Sequence, residues 1–315
     1  MIFNSLEDVR SDRACKALTG LTREQFRQLL KEFETSNKKL REDRYESGKL
    51  KIKSLMGRRG YLETQEQKLF FVLFYLKNYP TYDVLGHMFG FSGGHAYDHL
   101  QKLIPVLQRA LSDNDHLPSR DLSIPVDLKQ AIDDKGQIII DATERTCVRP
   151  QDKVMQKARY SGKKKHHTVK NLLITDSDKK ICYLSYTFAG SVHDYALLKQ
   201  ELPANEPWFE TTQVWVDLGF QGIKKDYAYS EHIQMPHKKP QKSKKNPQPA
   251  LTEKQKEDNR KIAKMRVRIE HAIGGMKWFH CLMQRVRNHL DVLIDNQISL
   301  CAGIYNMKMY LKTLA

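Results

Sequence analysis

Cysteine is scarce: five are scattered over 315 residues with no C-x-x-C spacing. That excludes a disulfide framework and a zinc ribbon, and fits a reducing compartment. Long apolar runs are also missing. The clearest, Phe70 to Leu76, is far shorter than the roughly 20 residues of a membrane-spanning helix. The opening MIFNSLEDVRSDR shows no basic stretch followed by an apolar one, so no secretory leader is expected. No G-x-x-x-x-G-K-[ST], G-x-G-x-x-G or serine nucleophile elbow occurs. P-loop nucleotidases, dinucleotide enzymes and serine hydrolases are thereby disfavoured. Acidic residues are in deficit, 37 against 53 Lys plus Arg, for a net charge of +16. Such an excess points to a polyanionic partner, nucleic acid first. Ribosomal, chaperone and membrane-surface proteins share this balance. Hydrophobic residues make up 40% of the chain, enough for a packed core.

The N-terminal third has helical periodicity. Thr22 with Gln25 spells a capping box, Leu21 with Phe26 a hydrophobic staple, and Phe26, Leu29, Leu30 and Phe33 recur at helical spacing. The polar, lysine-rich stretch 35–60 predicts a charged helix end or a linker. Thr64 with Gln67 opens an apolar helix through Leu76. After Pro80, a short helix, a turn at Gly90-Phe91-Ser92 and a second helix to about Leu111 have the layout of a helix-turn-helix. Two packed helices of an ordinary bundle would look alike. Residues 1–60 form a helical N-terminal region, 61–112 the helix-turn-helix region and 113–135 a Pro/Asp-rich linker.

Beyond residue 135 the period changes. Gln137–Thr143, Val169–Thr175, Ile181–Phe188, Gln213–Asp217 and His232–Met235 predict strands. SVHDYALLKQEL predicts a helix capped by Ser191 with Asp194 at its third position. Residues 236–250 predict a basic mobile loop. Thr252 with Gln255 opens a helix to about Trp278, and a last helix covers Val292–Leu311. This order predicts an α/β domain with a mixed sheet, as in the RNase H-like fold, over residues 136–315.

Three carboxylates stand out. Asp141 follows Ile138-Ile139-Ile140, Asp217 follows Val214-Trp215-Val216, and Glu270 lies in the long helix. A charge at the end of a buried strand is costly unless it is paired or holds a metal. Hard oxygen ligands suit Mg²⁺ or Mn²⁺, and two such ions can clamp an in-line displacement at a phosphodiester. Asn259, Arg266, Glu270 and Lys277 fall on one helical stripe, with Arg266 placed to orient Glu270 and Lys277 to reach a phosphate. Taken singly, each acid also fits an ordinary strand end or a solvated helix face. From Arg145 to Lys170 there are nine Lys/Arg and one Asp, densest at Lys163, Lys164, Lys165, His166 and His167. This is a track for a phosphate backbone, or a strand edge guarded by lysines. His193 and Asp194 could lie near the acids. Ser92, His95 and Tyr97, on the first turn of the second helix, are the side chains placed to meet DNA.

In order, IIIDATE, YSGKKKHHTVK, AGSVHDYALLK, VDLGFQGI and NRKIAKMRVRIEHAIGGMK resemble the DDE transposases of bacterial insertion sequences, the IS-five family in particular, whose catalytic domain is similar to that of Harbinger elements. The likeness covers roughly residues 60–310. It implies an RNase H-like catalytic domain behind a helix-turn-helix. It implies Asp141, Asp217 and Glu270 as catalytic, metal-holding acids, with Arg266 and Lys277 flanking the Glu. Two Mg²⁺ ions per site, or Mn²⁺, are implied as cofactors. The implied partners are double-stranded DNA, namely the element's terminal inverted repeats and a target, and a second copy of the chain in a synaptic complex. A bacterial cytoplasm, at the nucleoid, is the implied location. The signature's Tyr falls on Ala263 and a frequent Tyr on Phe220, neither of them an expected ligand. Two other readings stay open: an inactive DNA-binding descendant, and a metal-dependent nuclease without strand transfer.

Overall fold

The computed structural model describes residues 3, 5–50, 60–120, 132, 134–242 and 248–314. By internal contacts the chain divides into a helical unit, Met1–Leu117 with Met276–Ala315, and an α/β unit, Pro118–Gly275. The first crossing falls inside the expected linker, much of which (121–131 and 133) lies outside the described residues. The second crossing departs from the reading of 136–315 as one domain: the last helix belongs with the N-terminal helices. Among the described residues no helix is long and apolar enough to cross a membrane.

In the helical unit, α1 (Asp12–Thr19) and α2 (Arg23–Glu46) are joined by Gly20, whose φ of 83° needs a residue without Cβ strain. The Thr22–Gln25 capping box forms as expected, with both reciprocal bonds present. The helix it opens continues through Glu46, so the lysine-rich stretch from residue 35 is first a helix end. Residues 51–59 of that stretch lie outside the described ones. Thr64 and Gln67 cap α3 (Gln65–Asn78) in the same way. Every residue of α3 from Leu69 to Lys77 is buried, as a helix apolar on all sides demands.

Next come α4 (Tyr82–Phe89) and α5 (Gly93–Ser112), capped by the Thr81 and Ser92 hydroxyls. Between them Gly90 takes a left-handed φ of 81°. Gly86 lets the helices close: a Cβ there would lie 2.5 Å from the Phe91 carbonyl oxygen. This is the expected helix-turn-helix. An aromatic cluster of Phe70, Phe71, Phe74, Phe89 and Phe91 packs beneath it. The unit is completed by α10 (His280–Met283) and α11 (Asp291–Thr313). The α11 amides bond across it: Gln297 to the Tyr75 hydroxyl, Asn296 to Gln108, and Asn306 to the His116 carbonyl.

The α/β unit holds a seven-stranded mixed sheet. Its strands are β1 (Gln137–Thr146), β2 (Tyr160–Ser161), β3 (His166–Asp176), β4 (Ile181–Leu184), β5 (Phe188–Ala189), β6 (Gln213–Trp215) and β7 (Ile233–Gln234). β3 lies antiparallel to β1, with β4 and β5 on its far side. β6 lies parallel to β1, and β7 parallel to β6. This is the RNase H-like arrangement anticipated. Ile181–Phe188, read as one strand, is broken into β4 and β5. At the break the Ser185 hydroxyl takes over the Leu172 N–H. The helices are α6 (Lys153–Arg159), α7 (Asp194–Glu201), α8 (Ile223–Asp226) and α9 (Glu253–Met276). Thr252 and Gln255 exchange the reciprocal bonds expected at the start of α9. One face of the sheet buries Ile138, Ile140, Leu172, Ile174 and Val214 against Leu197, Leu198 and Phe220. Within the predicted basic loop, residues 243–247 lie outside the described ones.

Candidate functional site

The β1–β6 register pairs Ile139 with Trp215, so Asp141 and Asp217 each stand two residues beyond the same rung. Strand side chains repeat every second residue, which sends both carboxylates to one face where the parallel pairing stops. Asp141 lies mid-strand rather than at a strand end, because β1 runs on against β3 to Thr146. Asp217 caps a 3₁₀ turn, Leu218–Phe220, and accepts the Gly219 N–H at 2.7 Å. From α9, Arg266 reaches both acids: its Nη2 lies 3.4 Å from Asp141 Oδ2 and 4.0 Å from Asp217 Oδ2.

Asp194, at the first turn of α7, joins this group. It pairs with Lys170 at 2.9 Å, and that ammonium also donates to the Val192 carbonyl. Gly219 marks where the acids converge. A Cβ there would stand 2.8 Å from Asp217 Oδ1 and 3.1 Å from Asp194 Oδ2. Burial pushes the Asp141 carboxyl up to about 6, with the Asp217 and Asp194 charges adding to it. The Ala142 N–H and the Arg266 guanidinium pull the other way. Arg266 Nε is buried with no hydrogen-bond partner among the described residues.

Glu270 is exposed, one turn beyond Arg266 on α9. Among the described residues no three His, Cys, Asp or Glu side chains are spaced to hold an ion as they stand. The donor set nonetheless fits a hard divalent cation: Asp141, raised by burial, Asp217 and Asp194 come together with Arg266 and Lys170 beside them as countercharges. Lys277 follows the last residue of α9 and is counted with the helical unit. Asn259 is occupied elsewhere. Its amide clamps the backbone of His237 with bonds of 2.7 and 3.1 Å. His193 is exposed and is itself the cap residue of α7, without a side-chain cap bond. The expected Ser191 cap is therefore displaced by two residues, and Asp194 spends its carboxylate on Lys170 instead of on the backbone.

The basic track is smaller than the sequence implies. Arg145, Arg159 and Lys170 are buried, and Arg145 holds Asn171 inside the sheet. Lys163, Lys164 and Lys165 remain exposed in the tight turn between β2 and β3, with His166 exposed and His167 half-buried on the strand that follows. In the helical unit Ser92, His95 and Tyr97 lie at the start of α5. The Ser92 hydroxyl caps the His95 N–H, and the Tyr97 ring meets Tyr82 edge-on at 5.5 Å. Sequence reasoning missed Gly219 and the inward role of Lys170. The only signal for the first was a small residue two places after a strand-end acid.

Comparison with known proteins follows this division of labour. A model of the helix-turn-helix of DDE superfamily endonucleases matches residues 61–113. A model of the DDE superfamily endonuclease itself matches residues 140–306. A probable transposase for insertion sequence element IS702, from Microchaete diplosiphon, is 30% identical over 303 residues, covering 95% of this chain and 96% of that protein. No solved structure matches. With two in-register acids, an arginine between them and a DNA-binding helix-turn-helix ahead of them, the chain belongs to the DDE superfamily of endonucleases.

Proposed function

We propose that the chain is the transposase of an insertion sequence. The observation that carries this reading is the placement of Asp141 and Asp217 each two residues beyond the same rung of parallel strands, with Arg266 between them. In this reading α4 and α5 bind the terminal inverted repeats, with Ser92, His95 and Tyr97 facing DNA. The exposed turn Lys163–Lys165, with His166 and His167, follows the phosphate backbone. Asp141, Asp217 and Glu270 would hold divalent ions, Mg²⁺ or Mn²⁺, two per site. When bound, these supply a polarised phosphate and a stabilised leaving oxygen.

The chain's own part is positioning. Arg266 holds the two Asp carboxylates in place and has one buried N–H left for an anion. Lys277 would meet a phosphate oxygen, and Gly219 leaves room for the acids to converge. Hydrolysis at the element end adds water across the P–O bond and leaves a 3′-hydroxyl on the element and a 5′-phosphate on the flank. That 3′-hydroxyl then attacks a phosphodiester of target DNA and displaces a target 3′-hydroxyl, which takes up the proton. Two ends must be joined at once, so the working form is at least a dimer.

The test is cleavage of the DNA flanking this gene, with Mg²⁺ or Mn²⁺, by the wild type and by Asp217→Asn. Discrete nicks with 3′-hydroxyl ends, lost in the variant, are expected. Sequence-specific binding by the wild type without any cleavage would replace this reading by that of an inactive descendant. Cleavage without joined products would replace it by that of a nuclease.

A further inference from the structure

The helical unit carries a second cationic feature, unrelated to the basic turn of the α/β unit. A cleft of about 660 Å³ opens between α1, the end of α3 and the segment before α10, lined by Arg13, Lys16, Lys77, Asn78, Trp278 and His280. No carboxylate lines it. Arg13 and Lys16 stand three residues apart on α1 and so share a face. Neither has an ion-pair partner among the described residues. Lys77 is 4% exposed. Its ammonium donates to the Trp278 carbonyl at 2.8 Å and stands 3.7 Å from the centroid of the indole. Lys308 lies behind, donating to the Gly20 carbonyl and repelled by Lys16 and Lys77. Trp278 is 48% exposed, while its neighbour Phe279 is fully buried.

A solvated lysine face spreads its charges apart. Here exposed Arg13 and Lys16, with buried Lys77 and half-buried Lys308 behind them, are held together around an exposed aromatic ring, an arrangement that repels itself until an anion arrives. The ring narrows the anion. Inorganic phosphate has no use for an indole, and an acidic peptide none for a flat face, whereas a nucleotide presents a phosphate and a planar base together. Cationic contacts to the backbone combined with stacking on an aromatic ring is how unpaired strands are held. The volume lies in the range of small-ligand sites, about 300–1,000 Å³. We infer that this cleft receives one unpaired nucleotide of the DNA, its phosphate on Arg13 and Lys16 and its base against Trp278. The inference rests on the reading of the chain as a DNA-handling transposase.

The test uses the full chain at fixed ionic strength with two probes: 5′-phosphorylated (dT)₄ and the same sugar-phosphate tetramer without bases. The wild type should bind (dT)₄ about 5- to 100-fold more tightly than the abasic tetramer. Trp278→Ala should make the two equal, and Trp278→Phe should keep the preference. Arg13→Ala with Lys16→Ala should weaken both probes and leave their ratio unchanged. Equal binding of the two probes by the wild type overturns the inference. So does a preference that survives in Trp278→Ala. Should the alanine variant fail to fold, Trp278→Leu takes its place, and absence of any tryptophan quenching by (dT)₄ in the wild type counts against the cleft. Sequence-specific retention of duplex from the flanking DNA is measured in parallel. Its absence, with the base preference intact, overturns the transposase reading and leaves the cleft standing. Its presence without a base preference does the reverse.

Discussion

Replacing Lys308 by Met should stabilise the helical unit at neutral pH. Lys308 sits on α11, with its ammonium on the Gly20 carbonyl at 3.1 Å. Burial draws its proton affinity down from 10.5 to about 8, and Lys312, Lys77 and Lys16 push the same way. Each unit of displacement is worth ~1.36 kcal/mol, so the charged lysine costs the folded state about 3 kcal/mol at pH 7. Solvent reaching a half-buried ammonium reduces that to about 2. Losing the bond to Gly20 gives back ~1 kcal/mol. The net gain for Lys308→Met is therefore about 1 kcal/mol, up to ~2 where the Gly20 carbonyl finds water. The pH dependence fixes the cause. Between about 8 and 10.5 the unfolded chain holds the proton that the folded chain has released. The penalty of this lysine thus shrinks as pH rises and is gone above the unfolded value. The difference between the two proteins should be full at pH 7, vanish within the window from about 8 to 10.5, and favour the lysine above it, where only the lost bond to Gly20 remains. Urea titrations followed by helical circular dichroism at several pH values between these limits would show it. Comparing the two proteins cancels the titration of cysteines and tyrosines common to both. A Met variant less stable at pH 7, or a difference that ignores pH, would refute the assignment.

Asp141→Asn should abolish cleavage yet stabilise the α/β unit by ~1–3 kcal/mol at pH 7. The folded carboxyl, held near 6, binds a proton that the unfolded one gives up from 3.8. The native penalty therefore appears as pH rises through this window, and the advantage of Asn should vanish below about pH 4 in melting curves. Gly219→Ala puts a methyl against the Asp217 and Asp194 carboxylates. It should lower the cleavage rate at least ~10-fold with a melting temperature little changed, and an unaltered rate would show that the acids have slack. Changing Lys163, Lys164 and Lys165 together to Ala should weaken binding to all DNA sequences and flatten the slope of log K against log salt by ~2–3. An unchanged slope would remove them from the interface.

Local grammar carried much of the fold. Thr22–Gln25, Thr64–Gln67 and Thr252–Gln255 each close the reciprocal bonds their spacing implies, because a capping box involves only residues three apart. Asp141 and Asp217 were legible as candidates for a similar reason, since each follows a short apolar run, although β1 runs on past Asp141. What escaped depends on distant partners. Ser191 lost its cap role because Lys170, 21 residues earlier in sequence, captures Asp194. Lys170, Arg145 and Arg159 look like surface charge in a basic string; the β1–β3 register turns the first two inward, and Arg159 is buried at the end of α6. The last helix could not be assigned from its own pattern. It is apolar on most sides, and its fit to Tyr75, Gln108 and His116 is written in residues some two hundred positions away.

That last helix has a consequence for synthesis. The catalytic unit is spliced into the helical one, entering after Leu117 and leaving before Met276. A growing chain therefore makes α4 and α5 early but cannot close the core beneath them until α11 has been made. At ~5–20 residues per second that interval is roughly ten to forty seconds. The whole α/β unit is complete within it. In each newborn molecule the domain that cuts can mature before the domain that grips DNA, and a ribosome that stops short of α11 releases a chain with an unfinished handle.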